Sequence, residues 1–203
     1  MIYIYGDSHA EFNFKRLKLP HINFRQANIT MFRVGRDNEI INFNSAMHNK
    51  ESIICICYGE IDCRCHIQRQ IDMGKNENDV ISELVHNYFN TLKNNVKEHK
   101  KIIIVGIIPP TLQNDYEQQH GPITHEFPFV GSNEDRVRYT AKMNILIEQY
   151  CNKNGYIFFC PFFYYARPDG TLKYELSDSI VHLGENSFFL ENFLELHDKI
   201  INK

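Results

Sequence analysis

Apolar and polar positions alternate along the chain in two different rhythms. Short, near-continuous apolar runs occupy residues 2–6 (IYIYG), 52–58 (SIICICY), 101–108 (KIIIVGII) and 156–160 (YIFFC). Gly6, Gly59, Pro109-Pro110 and Pro161 close them. Runs of this length mark strands buried on both faces, as in parallel sheets. Between them the period lengthens. Over 77–99, Val80, Leu84, Tyr88 and Leu92 recur every four residues, with Ile81, Val85, Phe89 and Val96 beside them. That is a broad apolar stripe with polar residues opposite, the pattern of a helix lying on a core. Ser132-Asn133-Glu134-Asp135 reads as a second helix start and Asn154-Gly155 as its stop. Phe189, Phe193, Leu194, Leu196 and Ile200 give a third amphipathic helix over 186–201.

Strand–helix alternation with right-handed crossovers predicts an α/β fold of three layers, α/β/α, around a central parallel sheet of about five strands. No repeat or linker interrupts it, and 203 residues suit one domain spanning 1–203. With 43% hydrophobic and 23% charged residues the composition is that of a soluble globular protein. A formal net charge of −3 argues against a chain-wide basic surface for nucleic acid and leaves a local patch open. No apolar run approaches membrane-spanning length, so no membrane partner is expected. Residues 2–5 already read as a strand, leaving no room for a signal peptide. A cytoplasmic location with reduced thiols at the six cysteines is therefore expected.

Sheets of this kind gather reactive residues at the carboxyl ends of their strands. Two polar clusters stand there: Gly6-Asp7-Ser8-His9 and Gly59-Glu60-Ile61-Asp62. A serine at a strand-to-helix turn can expose its hydroxyl and free its backbone N–H. It can then supply a nucleophile and an oxyanion donor together. Asp7 or Ser8 could equally be only a helix N-cap. A nucleophilic serine needs a base. Among ten histidines, His182 stands out, flanked by Ser177-Asp178 and Leu183-Gly184 just before the last helix. A carboxylate in that turn would hold the imidazole in the required tautomer.

These residues, with a glycine in a second block and a glycine-led turn in a third, resemble the four blocks of SGNH (GDSL-like) hydrolases. Order and spacing agree over nearly all of the chain. Tyr58-Gly59-Glu60-Ile61-Asp62-Cys63-Arg64-Cys65-His66 resembles a little-characterised branch of that family. The resemblance implies a flavodoxin-like fold, hydrolysis of acyl esters, and no metal or organic cofactor. It implies Ser8 as nucleophile, His182 as base and Asp178 as the orienting acid. It also implies an oxyanion hole from the N–H of Ser8, the N–H of Gly35 and a third-block asparagine. Two departures follow. The asparagine position holds Ile61, which donates no hydrogen bond; losing one such donor typically costs on the order of 100- to 1000-fold in turnover. Arg64 is the candidate substitute. The Asp-x-x-His spacing is one residue longer here, Asp178 to His182, so a bulge must restore the contact or the pair acts without the acid.

The remaining polar residues carry weaker expectations. Arg36, Asp37, Glu60, Asp62 and Arg64 are expected to pair with one another, with Asp62 opposite Arg36 or Arg64. Cys55, Cys57, Cys63, Cys65 and His66 invite a zinc site, but Cys55 and Cys57 alternate within a strand and the spacing does not suit one, so no metal is expected. Cys63 and Cys65 remain candidates for reactive thiols. Lys93, Lys97, Lys100 and Lys101 suit a helix C-terminus. Residues 109–131, with His120, His125 and Phe127, read as a long loop that shapes the pocket. Three functions stand open: an esterase acting on small acyl groups such as O-acetyl groups on a carbohydrate, an acyltransferase on the same triad, and a glycan-binding or scaffolding module. The expected partner is a small-molecule or glycan substrate.

Overall fold

A computed structural model of the chain describes residues 1–37, 51–96, 101–123 and 127–202. Five strands form one parallel sheet in the order β2-β1-β3-β4-β5. They are β1 (Ile2–Gly6), β2 (His21–Arg25), β3 (Ile53–Cys57), β4 (Lys101–Val105) and β5 (Ile157–Phe159). Helices α1 (Ser8–Phe14), α2 (Met31–Asp37), α3 (Ile67–Asp72), α4 (Glu77–Asn95), α5 (Gln113–His120), α6 (Asn133–Asn154), α7 (Phe162–Tyr165) and α8 (Ser187–Ile201) connect them.

Strand alternation divides the core in two. Tyr3, Tyr5, Ile54, Ile56, Ile102 and Ile104 face Val34 of α2, Leu84 and Tyr88 of α4, and Met143 and Ile147 of α6. Ile2, Ile4, Cys55, Cys57, Ile103 and Val105 face Phe14 of α1 and Phe189 and Phe193 of α8. The sheet is thus covered on both sides, the three-layer arrangement that the apolar runs predict. Helix α6 opens with a capping box at Ser132 and Asp135 and closes at Gly155, which adopts φ +70. Helix α4 starts at the side chain of Asn76, which accepts the N–H groups of Asn78 and Asp79. Its described part ends at Asn95; Lys97 and Lys100 lie outside the described residues.

Two elements depart from the apolar pattern. Strand β2 carries no buried run, because it pairs on one edge only and stays partly exposed. Residues 109–131 contain a helix, α5, none of whose residues is buried. Among the described residues no helix is long and apolar enough to cross a membrane.

The chain leaves β1 toward the β2 edge and then crosses back to place β3 on the other side of β1. Connections therefore diverge at the carboxyl ends of β1 and β3, which is where open α/β sheets form clefts. Ser8 follows β1 and Gly59-Glu60 follow β3.

Candidate active site

The turn after β1 is built by close approach. At Gly6 a Cβ would come within 2.2 Å of the Cys57 carbonyl oxygen and 2.5 Å of the Ala10 Cβ. Only glycine lets β1 run this near β3 and then enter a helix at once. Asp7 caps α1: its carboxylate accepts the His9 N–H at 2.9 Å, and its carbonyl accepts the Ala10 N–H at 3.2 Å. Ser8 is the first residue of the helix and is half-buried.

His182 reaches Ser8 from the loop before α8. Its Nε2 lies 2.8 Å from Ser8 Oγ, and its Nδ1 lies 2.7 Å from Asp178 Oδ2. The extra residue between Asp178 and His182 is absorbed as a bulge. Ser179 takes φ +69, a left-handed conformation rare for a side-chain-bearing residue. Its carbonyl accepts the Tyr174 hydroxyl at 2.6 Å and faces His120 Nε2 at 2.7 Å. Asp178 Oδ1 accepts the N–H groups of Ile180 at 2.9 Å and His182 at 3.1 Å, and a Ser177–Leu183 bridge closes the loop. The longer spacing and the acid–base contact are thus compatible. We predict that Ser179→Val, which forces a β-branched residue into this conformation, lowers unfolding free energy by about 1–2 kcal/mol. Ser179→Gly is expected to be neutral or stabilising; a denaturant titration of the two variants separates these outcomes.

The electrostatics suit a base. Burial, together with the nearby His9 ring, pulls His182 below its ordinary value against the pull of Asp178. Burial would raise Asp178, but its bonds to the His182 ring and to the N–H groups of His182 and Ile180 outweigh this and hold it low. Phe12 stacks flat on the His182 imidazole at 4.1 Å and 8°, and His9 lies 4.7 Å away from the same ring.

The other expected residues divide. Gly59 opens the third block with φ +120, and a Cβ there would strike Ile107 at 2.7 Å. Glu60 follows it into the site, 3.9 Å from His9 Nε2. Gly35 does not join this constellation. It sits in the second turn of α2, packed so tightly on α4 that a Cβ would lie 2.9 Å from the Tyr88 nitrogen. It is a helix-crossing glycine, and the expectation of an oxyanion donor there is corrected. Arg36 is also displaced from the site: its guanidinium is exposed, pairs with Asp37, and lines a separate cleft with Phe32, His66 and Lys75.

Asp62 does not face an arginine. Its two oxygens accept the N–H groups of Met31 at 2.7 Å and Phe32 at 3.1 Å, at the start of α2. A buried carboxylate there satisfies orphan helix donors and ties the third block to α2. Burial pushes its carboxyl up to about 7 despite those two bonds. Arg64 does not offer a donor to Ser8. Its Nε lies 2.9 and 3.2 Å from the Glu60 oxygens, and its Nη1 donates to the Phe127 carbonyl at 2.5 Å. Ile61 is buried in the apolar core. A π-helical turn, Asp62–His66, sets the side chains of this block.

Residues 109–131 touch the site at both ends. Thr111 donates to the Ile180 carbonyl at 3.2 Å, and the Val130 N–H donates to the Arg64 carbonyl at 3.0 Å. His125 lies outside the described residues. Cys63 and Cys65 are not activated: both are buried, and burial pushes the Cys65 thiol up to about 11 and the Cys63 thiol well above its ordinary value. Among the described residues no group of three or more His, Cys, Asp or Glu side chains is placed to hold a metal ion. Of the direct neighbours of the His182 ring, His9 stands in the Gly6-Asp7-Ser8-His9 cluster without a role assigned to it, and Phe12 is absent from the sequence-based expectations. The signal for Phe12 is its spacing of four residues from Ser8 on one short helix, which apolar periodicity does not reveal.

No family model matches the sequence, and no curated protein does. Solved structures do match. A GDSL-like lipase from Bacteroides thetaiotaomicron aligns with a TM-score of 0.63 at 12% identity, over 99% of this chain and 87% of that one. A catalytic mutant of an acetylxylan esterase from Geobacillus stearothermophilus aligns with a TM-score of 0.56 at 12% identity, over 96% and 92%. The fold of this chain is that of the SGNH (GDSL-like) hydrolases.

Proposed function

We propose that this protein is a serine esterase that cleaves small acyl esters, with O-acetyl groups on a carbohydrate as its substrate class. The observation that carries the reading is the unbroken chain from Ser8 Oγ to His182 Nε2, 2.8 Å, and from His182 Nδ1 to Asp178 Oδ2, 2.7 Å. Both contacts fall within hydrogen-bond reach, the first requirement for a nucleophile and its base. The acetylxylan esterase among the structural neighbours supports the substrate class.

In this reading Ser8 Oγ attacks the ester carbonyl while His182 Nε2 takes its proton. The carbonyl becomes a tetrahedral oxyanion. His182 then returns the proton to the departing alcohol oxygen, leaving an acyl-Ser8. Water repeats the sequence: His182 takes its proton, the acid is released, and Ser8 regains its hydrogen. Asp178 stays ionised throughout and holds the ring. Asp7 already takes the His9 and Ala10 N–H groups, so the Ser8 N–H is the donor of this turn assigned to the oxyanion. With Ile61 in place of a donor, turnover is expected to lie on the order of 100-fold or more below that of a complete oxyanion hole.

Ile61 also favours a second reading, a glycan-binding module with little chemistry. Acetate release from acetylated xylooligosaccharides and from p-nitrophenyl acetate separates the two. The esterase reading expects release by the wild-type chain and none by Ser8→Ala. The module reading expects no release from either and unchanged glycan binding. The pH profile follows from His182, which must be unprotonated to act. Because its value lies below the ordinary 6.5, kcat/KM should hold its plateau through neutral pH and fall only on the acid side of 6.5. An acid limb centred above that point would contradict the assignment.

A further inference from the structure

We propose that His9 is held as an imidazolium that clamps the Ser8 turn to the loop carrying His182, and so acts as a positioning residue for the serine–histidine pair. The clamp itself stands on geometry; only its consequence for turnover rests on the esterase reading.

His9 directly follows Ser8 and is 3% exposed. Its Nδ1 lies 3.2 Å from Asp7 Oδ1, on the residue before Ser8. Its Nε2 lies 3.1 Å from the carbonyl oxygen of Val181, the residue before His182. Both neighbours accept hydrogen bonds, and neither an ionised carboxylate nor a carbonyl has a hydrogen to offer. A neutral imidazole carries one N–H, so it would meet one acceptor and turn a lone pair on the other. Only the doubly protonated ring donates to both.

Charge balance points the same way. Glu60 Oε2 is 3.9 Å from His9 Nε2, and Glu60 is itself paired with Arg64. Asp7, Glu60 and Arg64 alone leave the buried cluster one negative charge in excess. An imidazolium at His9 brings these four groups to neutrality, which an interior of low polarity favours. Burial works against the charged ring, but Asp7, Glu60 and the Val181 carbonyl outweigh it and hold His9 above its ordinary value. Arg136 of α6, also buried, is a further cation within electrostatic reach of Glu60 and Arg64, and Asp62, when ionised, offsets it. Cys57 and Tyr58, on and just after β3, are pushed well above their ordinary values and stay neutral. Asp62, from the π-helical turn, contributes only negative charge when ionised. From the C-terminal loop, Asp178 faces the opposite nitrogen of His182.

The placement gives the ring two effects on His182. It fixes the backbone immediately before the base relative to the nucleophile. It also sets a positive charge 4.7 Å from the base, ring to ring, which keeps His182 neutral and able to accept the Ser8 proton.

Nitrogen-15 NMR of the imidazoles in the wild-type chain tests the protonation state without any substrate. At pH 7 both His9 ring nitrogens should be protonated while His182 keeps one bare nitrogen. A bare ring nitrogen on His9 at that pH overturns the proposal. His9→Gln tests the coupling. The His182 titration midpoint should rise by roughly one unit once the neighbouring charge is gone. The plateau rate of fluorophosphonate labelling at Ser8 should fall by about 10-fold or more as the pair loses its alignment. A merely structural role for His9 leaves the His182 midpoint where it is, and that result overturns the proposal. Should His9→Gln fail to fold, the wild-type spectrum still decides. If the wild-type chain is never labelled at Ser8, the esterase reading fails, while the NMR result continues to decide the state of His9.

Discussion

His182→Ala should lower ester turnover by about 10,000-fold or more while leaving the chain folded. Among the described residues, the imidazole is the only group joined to Ser8 Oγ at 2.8 Å on one side and to a carboxylate at 2.7 Å on the other. Without it the serine hydroxyl keeps its proton at neutral pH and is a weak nucleophile. Nothing else within the turn replaces it. His9 lies close, but its two nitrogens already face Asp7 and the Val181 carbonyl. The fold should survive, because the ring packs on Phe12 at the rim of the sheet, apart from both core clusters. Steady-state kinetics paired with a thermal melt would check both parts. A loss of less than about 10-fold would remove His182 from the role of base.

Arg64→Met should destabilise the fold by about 3–5 kcal/mol. Arg64 and Glu60 are both almost fully buried, and the guanidinium contacts both Glu60 oxygens, with Nη2 adding a bond at 3.2 Å. Burial would raise Glu60, but Arg64 outweighs it and holds the carboxyl low, so its charge depends on that partner. Methionine matches much of the volume and removes the charge. Glu60 would then lose its cationic partner in a buried site that already holds Asp7 and Asp62, and the Phe127 carbonyl would lose the bond from Arg64 Nη1. The double variant Glu60→Leu with Arg64→Met removes both charges and is expected to recover most of the loss. Urea titrations of the single and double variants read this directly. A single variant within about 0.5 kcal/mol of wild type would show that the pair contributes little.

What the sequence discloses depends on how strongly each residue is constrained by its surroundings. The three buried strands are legible because both faces of β1, β3 and β4 are covered, which demands continuous apolar runs. Helices α4, α6 and α8 are legible because each lays a broad stripe on the sheet. Strand β2 escapes notice because an edge strand needs no such run, and α5 escapes because it buries nothing. The placement of Ser8 just after β1 and of His182 in the loop before α8 follows from their turns. The partners of charged residues do not follow from sequence. Asp62 suits an arginine as well as two backbone N–H groups, and only the approach of α2 decides between them. Gly35 is similar. A glycine in a helix can free an N–H or admit a neighbouring helix, and α4 shows it to be the second. The bulge at Ser179 was open for the same reason, since it rests on Tyr174 and His120 from elsewhere in the chain.

The central claim is that Ser8 is an activated nucleophile, and a fluorophosphonate probe tests it without knowledge of the substrate. Intact-mass measurement after labelling should show one adduct on the wild-type chain and none on Ser8→Ala. An unmodified wild-type chain that is demonstrably folded, or an adduct that persists in Ser8→Ala, would contradict the account.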